Sequence, residues 1–265
     1  MLMRILDCLL MVSPVMIRPV KVERAPAFVL HSYDYRDTSL IVELWTAQWG
    51  RLGVVARGAR RNSSPWRGVL VPFQPLLVGW SGKGDLKTLN AVDNATLYPV
   101  LAGRALATAY YLNEIILRTC MRLDPQPRLF KEYMELVQRL DGAELEPRLR
   151  YFEKNLLQEL GFIAPFDFDS EGDPVEAGLH YCYQEEVGAV PVSRARDGQV
   201  LGNGLSVSGS VLLALQRETL EPGQFGEAKR MMKQLLTPHL GSKPLQSRKI
   251  WAALARSGTP ATQDN

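Results

Sequence analysis

TSLIVELWTA (residues 38–47) is dense in β-branched and aromatic residues. Its side chains alternate, with Leu40, Val42 and Leu44 on one face and Ile41 and Glu43 on the other. A period of two over eight to ten residues reads as a half-buried strand. Working outward, AFVLHSY (27–33) is a short apolar run before it, and RLGVVARG (51–58) follows the turn residue Gly50. LVPFQPLLVGWS (70–81) is a longer apolar run, whose Pro72 and Pro75 suggest an edge or bent strand. SGKGD (81–85) reads as a turn before LKTLNAVDNATLY (86–98). Residues 25–98 thus carry about five strands and no helical period. A small five-stranded barrel fits that count, and the OB-fold is the commonest such barrel that binds oligonucleotides.

After Pro99 the period changes. ALATAYYLNEIILRTCMRL (105–123) and LFKEYMELVQRL (129–140) carry apolar residues at helical spacing and stop at Asp124-Pro125 and Asp141-Gly142. RLRYFEKNLLQEL (148–160) runs to Gly161, a good residue to end a helix. Residues 163–204 are rich in Gly, Pro and Asp, with short β-like pieces such as GLHYCYQ. Helical period returns in VSGSVLLALQRETL (207–220) and FGEAKRMMKQLLTPHL (225–240). The reading is therefore a barrel over 23–99 followed by an all-helical domain over 100–256 with an irregular insertion at 163–204. Residues 1–22 read as a disordered extension or the product of a misplaced start codon, since Asp7 breaks the apolar run a secretion signal needs. Residues 257–265 read as a disordered tail. No internal repeat is visible.

Length and composition are those of an ordinary globular chain: 265 residues, 46% hydrophobic and 22% charged. Cys8, Cys120 and Cys182 are scattered and odd in number, which excludes a disulfide framework and suggests a reducing, cytoplasmic setting. No apolar run approaches the roughly 18–20 residues that span a bilayer, so no membrane partner is expected. The net charge of +3 hides a strong segregation. From Leu44 to Gly84 there is no acid, and from Ala228 to Gln263 there is none either, while Asn155 to Ser193 holds eight acids and no Lys or Arg. Basic blocks of this kind attract polyanions.

Catalytic motifs find little support. Gly79-Trp80-Ser81-Gly82-Lys83-Gly84 is not a phosphate loop, because Leu77 stands where glycine is required and Gly84 where Ser or Thr is. His180 and Cys182 have no second pair to complete a zinc site. His31, His180 and His239 are far apart, and no nucleophile elbow or zincin motif is present. The acids Asp167, Asp169 and Asp173 could serve a metal-dependent nuclease, but nothing fixes their spacing, and a solvated loop is the simpler reading. No cofactor, metal or enzyme activity is expected. The strongest local signal is Arg57-Gly58-Ala59-Arg60-Arg61-Asn62-Ser63-Ser64-Pro65-Trp66-Arg67, a connection between two strands. Arginine binds phosphate bidentately and stacks on bases. An exposed Trp66 would add a stacking platform, and the alternative is that Trp66 caps the barrel.

AFVLHSYDYRDTSLIVELWTAQWGRLGVVARGAR and RGVLVPFQPLLVGWSGKGDLKTL resemble the N-terminal domain of the bacterial RecO family. The resemblance continues in YYLNEIILR (110–118), RLRYFEKNLLQELGF (148–162) and PHLGSKPLQSRKIW (238–251). It implies an OB-fold followed by a helical domain, and a non-enzymatic role in DNA repair, recombination and the DNA damage response. Such proteins bind single- and double-stranded DNA, anneal complementary strands, and bind the acidic C-terminal tail of single-strand binding protein. With RecR they help load RecA, which places them in the cytoplasm with the nucleoid. Many members carry a zinc ribbon in the insertion; here the paired C-x-x-C ligands are missing, so the insertion is expected to be zinc-less. Arg51, Arg57, Arg60, Arg61, Trp66 and Arg67 are the candidates for DNA contact, with Lys83 weaker and Lys243, Arg248 and Lys249 second. Arg150, beside Phe152, Leu156 and Leu157, is the candidate for the acidic tail. An RNA-binding OB-fold protein is the alternative that barrel and arginines alone leave open.

Overall fold

A computed structural model describes residues 21–140, 144–184, 187–192 and 205–257. The positions assigned above to an N-terminal extension lie outside the described residues up to residue 20, as do 258–265 of the tail. By its internal contacts the chain divides into two compact units, residues 1–141 with 244–265 and residues 142–243.

The first unit is built on a closed five-stranded barrel. β1 (Lys21–Tyr35), β2 (Ser39–Thr46), β3 (Gly50–Ala56), β4 (Leu76–Ser81) and β5 (Leu86–Asn94) run in the order β1-β2-β3-β5-β4, and β4 pairs back on β1. All pairings are antiparallel except β3 with β5. The alternation in 38–47 is realised: Val42 and Leu44 enter the barrel core with Val29, Leu52, Val54, Val78 and Leu89. Two glycines are required by close approach. A Cβ on Gly79 would come within 2.5 Å of the Glu23 carbonyl oxygen where β1 shifts register. Gly50 has φ +63°, and a Cβ there would meet the Asp124 carbonyl oxygen at 2.2 Å. The run 70–81 is not one strand. Pro72 and Pro75 lack the N–H a ladder needs, so only Leu76–Ser81 pairs, and it pairs on both sides, with β1 and β5. Residues 82–85 form the expected turn.

Three helices among the described residues belong to this unit: α1 (Gly103–Thr119), α2 (Pro127–Val137) and α6 (Ser247–Ser257). Phe28 and Trp45, on the outer face of β1 and β2, pack against Phe130 and Tyr133 of α2, edge-on except for the tilted Phe28–Phe130 pair. Buried Asn113 of α1 donates to the Val29 and Leu30 carbonyls at 3.2 and 2.9 Å and accepts the Tyr133 hydroxyl at 2.5 Å. The two carbonyls lie where β1 slips register, so the amide satisfies groups the ladder leaves over. Burial, with Tyr98 nearby, drives the Tyr133 phenol far upward, keeping it a neutral donor. Sequence period did not mark residues 247–257 as a separate helix, and it placed 100–140 with the later helices; the contacts place α1, α2 and α6 with the barrel.

The second unit holds α3 (Leu145–Glu159), α4 (Gly209–Arg217) and α5 (Phe225–Leu236), with α3 packed on α5. The insertion read as irregular contributes β6 (His180–Gln184) and β7 (Gly188–Pro191) to an antiparallel sheet, order β7-β6-β8, whose third strand β8 (Leu205–Ser208) lies just beyond it, at the start of the stretch read as helical. Its strands are of four or five residues, too short for a clear period. Glu227 of α5 caps α4, accepting the Ser208 N–H at 2.6 Å and its hydroxyl at 3.1 Å.

Candidate functional site

The connection from β3 to β4 begins with the arginine-rich segment. Its backbone is a series of tight turns: Arg61 N donates to Gly58 O at 3.1 Å, Ser64 N to Arg61 O at 3.0 Å, and Leu70 N to Trp66 O at 3.2 Å. Gly58 has φ +69°, a left-handed conformation that glycine adopts without steric cost. The apolar members point inward. Ala59 and Leu70 are buried in the barrel cluster, and Trp66 and Val69 pack against it. Trp66 is therefore half-buried and anchors the loop, which is the capping arrangement rather than the exposed stacking platform. With the apolar residues turned in, Arg57, Arg60, Arg61 and Arg67 are left exposed.

These arginines have little internal compensation. Arg60 is the best held. Its backbone N–H donates to Thr38 O at 2.9 Å, one guanidinium nitrogen reaches Arg36 O at 3.4 Å, and another lies 3.4 Å from an Asp34 carboxylate oxygen. Both members of that ion pair are open to water, 40% and 72% exposed, and such pairs are worth about 0–1 kcal/mol. Arg67 donates to Asn62 at 2.5 Å. Of the two serines, Ser64 accepts the Trp66 N–H at 3.3 Å, and Ser63 is exposed. The loop presents an array of exposed cations and is hooked to the β1–β2 hairpin through Arg60.

The remaining candidates divide. Lys83 is exposed in the β4–β5 turn. Arg51 is half-buried and turned to α1, donating to the Leu117 carbonyl at 2.7 Å. It satisfies a C-terminal carbonyl of that helix, a structural use that its choice as a candidate for DNA contact did not foresee. Arg248 and Lys249 are exposed on the first turn of α6, where the helix dipole disfavours cations, so capping does not account for them. Lys243 is exposed and belongs to the second unit.

The α3 group takes another form. Phe152, Leu156 and Leu157 are core residues, at most 2% exposed. Arg150 is 5% exposed, with its guanidinium 2.8 Å from Glu153 and 3.8 Å from Glu146. The four do not form an open apolar pocket with a vacant cation: helical packing covers the apolar three, and carboxylates on the same helix occupy the arginine. In the insertion, Asp169 Oδ1 accepts the Glu171 and Asp173 N–H groups, each at 2.9 Å, and so organises its own turn. Among the described residues no three His, Cys, Asp or Glu side chains gather as a metal site, and no helix is long and apolar enough to cross a membrane. Burial pushes the Cys120 thiol up to about 11, away from a reactive thiolate.

One polar residue escaped the sequence reading. Glu114 of α1 accepts the Gln246 N–H at 2.8 Å and the Ser247 N–H and hydroxyl, both at 2.9 Å, while Arg118 lies at 2.5 Å. It caps α6 from another helix. Burial alone would raise its carboxyl, but these donors and Arg118 outweigh burial and hold it below the usual range. Nothing local links Glu114 to Ser247, so only long-range information could have found it.

A family described as "Recombination protein O N terminal" matches residues 20–98, and one described as "Recombination protein O C terminal" matches residues 101–249. A protein called DNA repair protein RecO from Alkalilimnicola ehrlichii is 43% identical over 238 residues, covering 89% of this chain and 94% of its own. One of the same name from Nitrosococcus oceani is 41% identical over 248 residues, covering 92% and 99%. Another from Nitrosospira multiformis is 43% identical over 231 residues, covering 86% and 94%.

Proposed function

The chain belongs to the RecO family of DNA repair proteins, and from that membership we propose that it is a non-enzymatic recombination mediator that binds single- and double-stranded DNA and anneals complementary single strands. The observation that carries this reading is the set of exposed arginines at 57, 60, 61 and 67, held outward by the inward packing of Ala59, Trp66 and Leu70. Two single strands repel each other, and annealing requires their phosphates to be partly neutralised without any reading of sequence. Guanidinium groups on a rigid loop do this: they take phosphate oxygens bidentately, displace condensed counterions, and leave base edges free to pair.

DNA contact is assigned to Arg57, Arg60, Arg61 and Arg67, with Lys83 as a weaker contributor and Lys243, Arg248 and Lys249 as second choices. Arg51 is left out because α1 uses it, and Trp66 supports the loop from below. RecR, the acidic tail of single-strand binding protein and, through them, RecA are the proposed partners, in the cytoplasm with the nucleoid. The tail is not assigned to Arg150, whose guanidinium already holds Glu153.

The test is a fluorescence annealing assay with complementary DNA oligonucleotides at low salt, run beside matched RNA strands. Acceleration of DNA annealing that fades as salt rises is the expected result. No acceleration at low salt sinks the proposal, and acceleration confined to RNA moves the protein to the RNA-binding class.

A further inference from the structure

The outer face of the β1–β2 hairpin carries a second feature, separate from the arginine loop. Beyond the register shift between Val29 and His31, His31 pairs with Glu43, Tyr33 with Ile41 and Tyr35 with Ser39. Directly opposed residues share a face. Val42 and Leu44 enter the barrel core, so Ile41, Glu43 and Trp45, with His31, Tyr33 and Tyr35, belong to the outer face. Toward the base of the hairpin that face is covered, where Trp45 and Phe28 meet α2. Toward the tip the cover stops. His31 is exposed, Tyr33 is 48% exposed and Tyr35 is half-buried. The His31 and Tyr33 rings meet edge-on at 4.4 Å, and the Arg36 guanidinium lies 5.1 Å from the centre of the Tyr35 ring.

We propose that His31, Tyr33 and Tyr35 form a stacking platform for the unpaired bases of single-stranded DNA, next to the phosphate-binding arginines. This rests on the DNA-binding reading above and adds to it a preference for single over double strands. Alternate residues of a strand stand about 6.6–6.8 Å apart, and the His31 and Tyr33 rings lean together edge-on, so that pair serves as one aromatic contact for a base and Tyr35, further toward the tip, as a second. A duplex hides its base faces in the stack and cannot use them. The class of ligand follows from charge. Arg60 is fastened to the hairpin tip through Thr38, Arg36 and Asp34, so the cationic loop begins where the aromatic row ends. The acid on the outer face, Glu43, is 3% exposed and neutralised by Arg122, and Asp34 is engaged by Arg60. Asp37, exposed in the turn, is a nearby acid that a phosphate must pass. An apolar peptide would gain nothing from the arginines, and a bare polyanion would gain nothing from the rings.

The experiment measures equilibrium binding by fluorescence anisotropy with the full chain and two probes of equal length, a mixed-sequence single-stranded DNA and the same backbone with abasic sites throughout. Proteins compared are wild type, Tyr33→Ala, Tyr33→Phe and the double change His31→Ala with Tyr33→Ala. Stacking on an aromatic ring implies a loss of roughly five- to a hundredfold for Tyr33→Ala on the base-bearing strand. Little change is expected on the abasic strand, in the salt dependence, or with Tyr33→Phe. The double change should lose more. Equal affinity of wild type and Tyr33→Ala for the base-bearing strand overturns the platform while leaving the arginine loop standing. Parallel loss on both probes also overturns it, since the tyrosine would then act on backbone or on folding. If the wild type binds neither probe at low salt, the parent reading fails instead.

Discussion

Arg60 and Arg150 are the same residue in two charged surroundings, and the molecule treats them in opposite ways. Arg60 lies in a stretch with no acid from residue 44 to 84, so its nearest carboxylate, Asp34, comes from another strand and stays open to water. Arg150 lies on α3 with Glu146 four residues before it and Glu153 three residues after it, spacings that bring side chains together on one helix face. Glu153 is wholly buried, so Arg150 is fixed by a charge that cannot be left alone. A cation serves an external anion only when its own chain has left it uncompensated. Positive charge in a sequence is a weak guide until the acids within three or four residues have been counted.

The comparison breaks most decisively at Arg150. Arg150→Ala strands the Glu153 carboxylate in the core and should cost about 3–5 kcal/mol, read from urea unfolding. Arg150→Met combined with Glu153→Leu should recover most of that loss. Neither should alter DNA affinity per folded molecule. A marginal stability effect of Arg150→Ala would mean that the pair is not a structural unit. The converse change replaces Arg57, Arg60 and Arg61 with Ala. Folding stability should move by no more than about 1 kcal/mol, since the Asp34 pair is exposed. DNA affinity at low salt should fall by roughly a hundredfold or more, and the slope of log K against log salt should flatten by about 2–3. An unchanged slope would remove the loop from the interface.

Two smaller effects sharpen the distinction. Glu114→Gln should cost about 0.5–2 kcal/mol at neutral pH through loss of the α6 cap. In the folded protein the Glu114 carboxyl is held below its ordinary value, so its stabilisation is fully present above that value and is lost as pH falls through the ordinary value toward the folded one. Urea midpoints at pH 7 and pH 4 should therefore converge for the wild type and the variant at the acid end. Smallest is Arg51→Gln, which removes the hydrogen bond to Leu117. It should cost about 1 kcal/mol in stability and leave the salt slope of DNA binding unchanged; a flatter slope would return Arg51 to the phosphate-binding set.

Much of the candidate site's local structure could be read before folding. The strands around 38–47 and 51–58 announce themselves by alternation, and the arginine loop by a density of charge no turn requires. Trp66 was harder, because loop composition does not say which side chain turns inward; it packs on the barrel since Ala59 and Leu70, on either side of it, are pulled in too. The His31–Tyr33–Tyr35 row was hidden because those residues also suit a half-buried strand, and only the end of the helical cover distinguishes exposed from covered. Arg51 was read as available because its partner, the Leu117 carbonyl, lies 66 residues away, whereas Arg150 was read so although Glu146 and Glu153 stand within about one helical turn of it.

What the sequence alone determined is therefore local or familial: strand and helix type from periods of two and 3.6, the segregation of charge, and a RecO-like order of motifs. Tertiary structure decided the parallel closure of β3 on β5, the grouping of residues 103–140 and 247–257 with the barrel, and the employment of individual charges. The reason is range. A periodic pattern is written within a dozen residues, but the partner that settles a polar group can arrive from far along the chain. Arg51 meets Leu117 across 66 residues and Glu114 meets Ser247 across 133, and no local pattern records either encounter.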